Sequence, residues 1–342
     1  MPDGDLNHYL FGGTALVAVA KLNDSKLPLS ILGVVYNSAM SAGDNADILN
    51  RVDAAALGLG MGVDYVVESY CYIDDTVTFA NNSRGLAFTS GGRFIYNGPA
   101  DRAVIVWGST GSSKTTAIKN FYLDNATAHP YTNEDFVGLR LIRTKFSDIR
   151  IDRIAFFTIN LQLYGSSSSG IEHNTIALGA SYNARRHIDI YSVVSNGYVN
   201  ENLFLGGNLQ NTTNNPVYPL DQPSWGVSFR AEEGTYRNHN NNVFVKPCFQ
   251  VDIGQHATAE RIPVVCDNAG QRNVFQHARV EGYNGPVMDV ISDEWEISRN
   301  RFYALTLIGG TLTDLFVRNS SNGLGFNNLV IYPGDGGEIP SS

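Results

Sequence analysis

The sequence predicts an all-β fold, a single-stranded parallel β-helix closed at its N-terminal end by one short helix. The first observation is a recurring Asn-x-Phe phrase: Asn202-Leu203-Phe204, Asn242-Val243-Phe244, Asn273-Val274-Phe275 and Asn300-Arg301-Phe302. Weaker copies stand at Asn120-Phe121-Tyr122, Asp148-Ile149-Arg150, Asn174-Thr175-Ile176 and Asn328-Leu329-Val330. The second is their spacing: successive anchors lie 28, 26, 28, 40, 31, 27 and 28 residues apart, the period of a solenoid with one long exception. The third is what fills each interval. Two or three short strand-like runs, such as Val243 to Val245, Phe249 to Ile253 and Ile262 to Val265, are separated by Gly, Pro, Asn and Asp, with no helical spacing. Coils stack roughly 4.8 Å apart, so an Asn repeated at one turn bonds its amide to the amides above and below. The apolar residue two places on then points into a shared core.

Residues 1–43 carry no period and are read as an irregular N-terminal segment. Next comes the one good helix. Asp44 caps it, Ile48, Leu49, Val52, Ala55 and Ala56 share a face, and Gly58 ends it. Placed ahead of a solenoid, such a helix covers the unpaired edge of the first coil. Strands follow as Tyr65 to Glu68, Thr76 to Phe79, Leu86 to Phe88, Phe94 to Tyr96 and Val104 to Trp107. The solenoid runs over 44–333, about nine or ten coils, with an insertion at about 206–240 and a tail at 334–342.

Two phrases in this region carry a family resemblance. Gly43-Asp44, Asp47, the helix to Leu57 and then Asn82-Ser83-Arg84-Gly85-Leu86 resemble the opening of the pectate-lyase-like, glycoside-hydrolase-28-related β-helices. Val63-Asp64-Tyr65 departs from that family, where a proline-containing start to the strand is usual. The later Asn-x-Phe coils are similar to those of phage tailspike depolymerases built on the same fold. The resemblance implies a right-handed helix, in keeping with the general hand of parallel crossovers. It further implies a homotrimer, a virion-tail or extracellular location, and a bacterial surface polysaccharide as partner, either capsule or lipopolysaccharide O-chain. The 11% aromatic content, more than a narrow interior holds, agrees with a buried flank between copies.

Composition narrows the function classes. With 43% hydrophobic residues the chain can bury a large core, and 34 glycines with only 17% charge suit a β-solenoid. A net charge of -9 argues against a general nucleic-acid surface. The apolar run Thr14 to Ala20 is too short to span a bilayer and follows Asp3 and Asp5, so neither membrane insertion nor a secretory signal is expected. Cys71, Cys248 and Cys266 show no metal spacing and are read as buried apolar fillers.

No cofactor or metal is expected. Gly108-Ser109-Thr110-Gly111-Ser112-Ser113-Lys114-Thr115 approaches a phosphate-cradling loop, but Ser113 replaces the required Gly and a strand, Ala117 to Leu123, replaces the required helix. His173, His187, His239, His256 and His277 lack metal spacing and read as turn or hydrogen-bonded residues. Carbohydrate chemistry remains, because glycosidic cleavage needs two carboxyl groups, one protonated and one ionised, beside aromatic platforms.

The candidate catalytic carboxylates are Glu281, Glu232, Glu233 and Asp221; the candidate substrate-binding residues are Trp225, Tyr218, Arg230, Gln250, Arg279 and Trp295. Gln250 and Glu281 each lie eight residues beyond an anchor and should stack in adjacent coils. The long interval, folding over that face as a loop, would bring Asp221, Glu232 or Glu233 toward Glu281, with Trp225 or Tyr218 against a sugar ring. Two alternatives stay open. A polysaccharide lyase would use a base such as Lys246, Arg279 or Arg299, and a non-catalytic glycan-binding or structural β-helix would keep the groove without a working acid pair.

Overall fold

The computed structural model describes residues 26–58, 62–80, 83–109, 114–166, 170–193, 197–212, 223–232, 239–251, 260–282, 285–291, 299–308, 317–319 and 331–333. Among them, strands form a long sheet of 15, a second sheet of 9, and a two-stranded third face of Ile171–Glu172 with Val199–Asn200. One coil shows the path. Asp148–Ala155 lies in the long sheet, Ile159–Gly165 in the second sheet and Ile171–Glu172 on the third face. Thr175–Tyr182 then returns beside the start, pairing in parallel as Asp148↔Thr175 through Ala155↔Tyr182. The chain is a parallel β-helix.

The expected asparagine ladder runs along one turn. Asn174 Nδ2 donates to Asn202 Oδ1 at 2.8 Å, and Asn202 to Asn242, Asn242 to Asn273 and Asn273 to Asn300 follow at 3.0 Å each. Each Oδ1 also accepts the backbone N–H of the Asn one coil back. Each Asn from 174 to 300 sends a further Nδ2 bond to a backbone carbonyl, so a row of buried amides is satisfied by translation alone.

Upstream the anchors need correcting. Ser147, not Asp148, occupies the ladder position below Asn174, and Thr116, not Asn120, lies below Ser147. Asn120 instead sits in a bulge with φ 55°, where the strand Ala117–Asn125 bends. An amide in a bulge and an amide in a ladder look alike in sequence. Asn328 lies outside the described residues.

Two residues beyond the ladder, Ile118, Ile149, Ile176, Phe204, Phe244, Phe275 and Phe302 are paired in register and buried. The rings stack: Phe204–Phe244 centroids lie 4.3 Å apart at 6°, and Phe244–Phe275 and Phe275–Phe302 both lie 4.6 Å apart. The second sheet faces them with Leu139, Leu161, Ile188, Val227 and Val264, also in register.

The helix Ala42–Gly58 caps the first coil, as expected. Val77–Phe79 is the edge strand of the second sheet, and helix side chains replace the missing neighbour. Asn50 Nδ2 bonds Thr76 O and its Oδ1 accepts Thr78 N–H, both at 2.8 Å, while Asp53 Oδ2 accepts Ala80 N–H at 2.8 Å. Asp44 lies inside the first turn rather than at the N-cap, two residues after the start at Ala42. The segment ahead of the helix is not wholly irregular, since Lys26–Pro28 pairs with Asp64, Tyr65 and Val66 and extends the long sheet. Cys71 and Cys266 are buried, but Cys248 is only half-buried because it faces outward from the long sheet beside Arg279.

Candidate functional site

The outer face of the second sheet carries polar residues between apolar ones. Leu139-Arg140-Leu141, Leu161-Gln162-Leu163, Ile188-Asp189-Ile190 and Val227-Ser228-Phe229 place Arg140, Gln162, Asp189 and Ser228 side by side on consecutive strands. One column over stand Tyr164, Tyr191 and Arg230; on the other side stand Ile159, Arg186 and Trp225. An outward face should be solvated, yet Gln162, Asp189, Ser228 and Arg186 are buried.

Glu134, from the segment 126–136 that precedes the strand Val137–Ile142, is joined to this face. Its Oε2 meets Arg230 at 2.5 Å, and its Oε1 meets Arg186 at 3.0 Å and Arg185 at 3.3 Å. His129 anchors the same segment, 4.0 Å from the Tyr131 ring and edge-on to Phe136 at 4.6 Å.

Asp189 is the hub. Arg230 grips it twice, Nε to Oδ1 at 2.8 Å and Nη2 to Oδ2 at 2.6 Å, while Ser228 Oγ donates at 2.6 Å and Gln162 Nε2 at 2.8 Å. Arg140 Nε in turn donates to Gln162 Oε1 at 2.6 Å. Burial opposes ionisation of Asp189, but the Arg230 charge and bonds, with Arg186 and Gln162, outweigh it and hold the carboxyl well below its ordinary range. Glu134 follows the same balance, with desolvation overcome by Arg186 and Arg230. An ionised pair this well satisfied fixes the Arg230 guanidinium in place.

Asp267 behaves in the opposite way. It closes the strand Arg261–Asp267, is half-buried, and has no hydrogen bond or ion pair with a described residue. Burial raises its pKa, only partly countered by Arg186 and Arg230, so this carboxyl is held toward its protonated form. Glu232, just past the strand Ser224–Ala231, is exposed and accepts a bond from Tyr191 Oη at 2.9 Å. Tyr164 and Tyr191 meet edge to face at 5.8 Å, and Arg230 lies over Tyr191 at 4.4 Å. The arrangement therefore offers an uncommitted carboxyl, an accessible carboxylate, a rigid guanidinium and an aromatic wall.

Of the residues expected from sequence, Trp225, Arg230 and Glu232 lie here. Trp225 and Arg230 belong to a strand rather than a loop: Ser224–Ala231 pairs with Arg186–Ser192 in the coil before and Arg261–Asp267 in the coil after. One face of Trp225 is taken by Arg186, 4.1 Å away. Gln250 and Glu281 pair in register as their spacing predicts, but on the long sheet, where Glu281 is tied to Arg279 at 2.7 Å. Tyr218, Asp221, Glu233 and Trp295 lie outside the described residues.

Glu134, Asp189, Asp267, Arg186, Tyr164 and Tyr191 were not singled out from sequence. The signal for Asp189 was present in four apolar-polar-apolar triplets at coil spacing; for Glu134, 96 residues from Arg230, no local pattern exists. In the loop-like stretch, Gly108 turns at φ 102° with its Cα side against Ile142 O, where a Cβ would lie 2.0 Å away. Lys114 Nζ points inward to Phe79 O at 3.1 Å, and the strand Ala117–Asn125, not a helix, follows; residues 110–113 lie outside the described residues. Among the described residues no cluster of His, Cys, Asp or Glu could hold a metal, and no helix is long and apolar enough to cross a membrane.

No family model matches the sequence, and no curated protein matches it. Solved structures do match by shape. The ORF18 protein of a Geobacillus virus aligns with TM-score 0.58 at 12% identity, over 92% of this chain and 61% of that one. That likeness concerns the fold alone. A tailspike of an Acinetobacter phage aligns at TM-score 0.45 and 9% identity, over 94% and 67% of the two chains. A DFA-IIIase of Arthrobacter chlorophenolicus aligns at 0.33 and 13%, over 88% and 87%. The chain spans about three-fifths of the length of the Geobacillus virus protein.

Proposed function

We propose that this chain is a phage tailspike-like β-helix that binds a bacterial surface polysaccharide, capsule or O-chain, and hydrolyses its glycosidic bonds on the outer face of the second sheet. The observation that carries the reading is Asp267: a half-buried carboxyl whose pKa burial raises, without a hydrogen bond or ion pair among the described residues, beside Arg230, Asp189 and Glu134, which are paired with one another. Asp267 gives its proton to the glycosidic oxygen as the bond to the anomeric carbon breaks. Glu232 takes a proton from the water that attacks that carbon. Arg230, fixed by Asp189 and Glu134, and the Tyr191 ring it stacks on form one wall against which the sugar lies. Similarity in shape to a viral protein supports a virion or extracellular setting, and a homotrimer is part of the same proposal.

The test is release of new reducing ends from a panel of capsular and O-chain polysaccharides. Asp267→Asn and Glu232→Gln are each expected to lower the rate by about a hundredfold or more, with folding unchanged by circular dichroism. Full activity in Asp267→Asn would overturn the assignment. Product absorbing as an unsaturated uronate would mean elimination instead, and retention without product in the parent protein would leave a glycan-binding module.

A further inference from the structure

A second unassigned arrangement lies on the long sheet. Arg93 pairs in register with Tyr70, its Cζ 4.2 Å from that ring and 4.5 Å from the ring of Tyr122 on the other side. The column continues with Arg153, 5.5 Å from Tyr122 and 5.0 Å from Tyr182. Coil stacking explains the geometry, because planar side chains at one register position lie face to face roughly 4.8 Å apart.

The two guanidinium groups differ in what they bond. Arg153 Nε is bonded to Asp124 at 2.8 Å, and Tyr122 also bonds that carboxyl. Arg93 makes no hydrogen bond or ion pair with a described residue, and its Nε is buried without a partner. The column therefore holds two cations and one carboxylate, already committed to the second cation, in a chain whose net charge is -9. Both faces of Arg93 are occupied by tyrosine, which leaves only the in-plane edge of the guanidinium. That edge is a fork of parallel N–H donors matched to a planar oxyanion.

We propose that Arg93, clamped between Tyr70 and Tyr122, binds the carboxylate of an acidic sugar residue, forming a glycan-holding site separate from the second-sheet centre. The sugar assignment rests on the polysaccharide reading above. It also fits the column itself: Tyr70 and Tyr122 stand two coils apart at one register position, and Tyr182 lies two coils further on and two residues along its strand, so a chain laid along the helix axis meets a hydroxyl-tipped ring at every second coil.

The experiment is affinity electrophoresis and calorimetry with the full chain against three probes. These are oligogalacturonate or oligosialate, the same oligosaccharides with carboxyls reduced to alcohols, and poly-glutamate. The acidic oligosaccharides are expected to bind about tenfold or more tightly than their reduced forms. Arg93→Gln should abolish that difference, and Arg93→Lys should restore only part of it, because an ammonium keeps the charge but not the fork. Unchanged binding in Arg93→Gln, equal binding of the reduced sugars, absence of binding to either acidic oligosaccharide, or equally strong Arg93-dependent binding of poly-glutamate would each overturn the proposal. Asp267→Asn is expected to leave these affinities intact, so loss of cleavage and loss of holding are read separately.

Discussion

The two long faces of this β-helix bury polar groups by opposite means. Along the long sheet's turn, each Asn amide from 174 to 300 meets an identical or equivalent neighbour, so one solution is repeated at every coil. On the second sheet, Arg140, Gln162, Asp189 and Ser228 occupy equivalent positions in successive coils, yet each is a different residue with a different task. The contrast teaches where to look for chemistry in a solenoid. A repeated buried polar group serves stacking; a buried polar group that differs from coil to coil is held for something other than stacking.

The sharpest way to break this comparison is to remove one charge from the second sheet. Arg230→Met leaves Asp189 buried with hydrogen bonds from only Gln162 and Ser228 and the more distant charge of Arg186, and should cost about 3–5 kcal/mol in urea unfolding. Adding Asp189→Leu should recover most of it, since no uncompensated charge then remains. A double variant as unstable as the single one would show that packing, not charge, holds this face.

Acid should separate the two regions next. Burial lowers the pKa of His129 from 6.5 to about 4 and that of His187 to about 3. Their folded values lie below the unfolded one, so the unfolded chain takes up protons first. Stability is complete above pH 6.5 and falls as pH drops toward 4, by about 3 kcal/mol for His129. Asp189 and Glu134, held low, add to the loss once pH falls below the ordinary carboxylate range, because only their unfolded forms bind protons there. The asparagine ladder contains no titrating group. Amide exchange at pH 4.5 should therefore quicken at Val137–Ile142 and Arg186–Ser192 before Val243–Val245; the reverse order would contradict the reading.

A break in the ladder itself comes third. Asn242→Ala removes the acceptor for the Asn202 backbone and side-chain amides and the donor to Val199 O, at a cost of about 2–3 kcal/mol. The smallest effect belongs to Phe244→Leu, about 1 kcal/mol by thermal unfolding, since the core keeps most of its apolar volume and loses the ring stack.

How much was legible follows from the same contrast. Asn202, Asn242, Asn273 and Asn300 announce themselves because translation brings like residues together, and the Phe two places on confirms which face is inward. Ser147 and Thr116 do the same work without the same letters, so the ladder's early rungs leave no repeat in the sequence. Trp225, Arg230 and Glu232 stand out in sequence as an unusual group, but the long interval there reads as an inserted loop. Their strand is visible only once Arg186–Ser192 and Arg261–Asp267 lie on either side.

The sequence by itself determined the repeat, the capped start and the inward columns, because each is a relation between residues one coil apart and so recurs at a constant spacing. Only the tertiary structure decided which charges meet. Glu134 reaches Arg230 from a segment 96 residues earlier in the chain, and among the described residues Asp267 has no ion pair while the nearby guanidinium groups of Arg186 and Arg230 are engaged by Glu134 and Asp189. Ion pairing depends on distance in space and on which partners are already taken, and neither quantity is periodic along the chain.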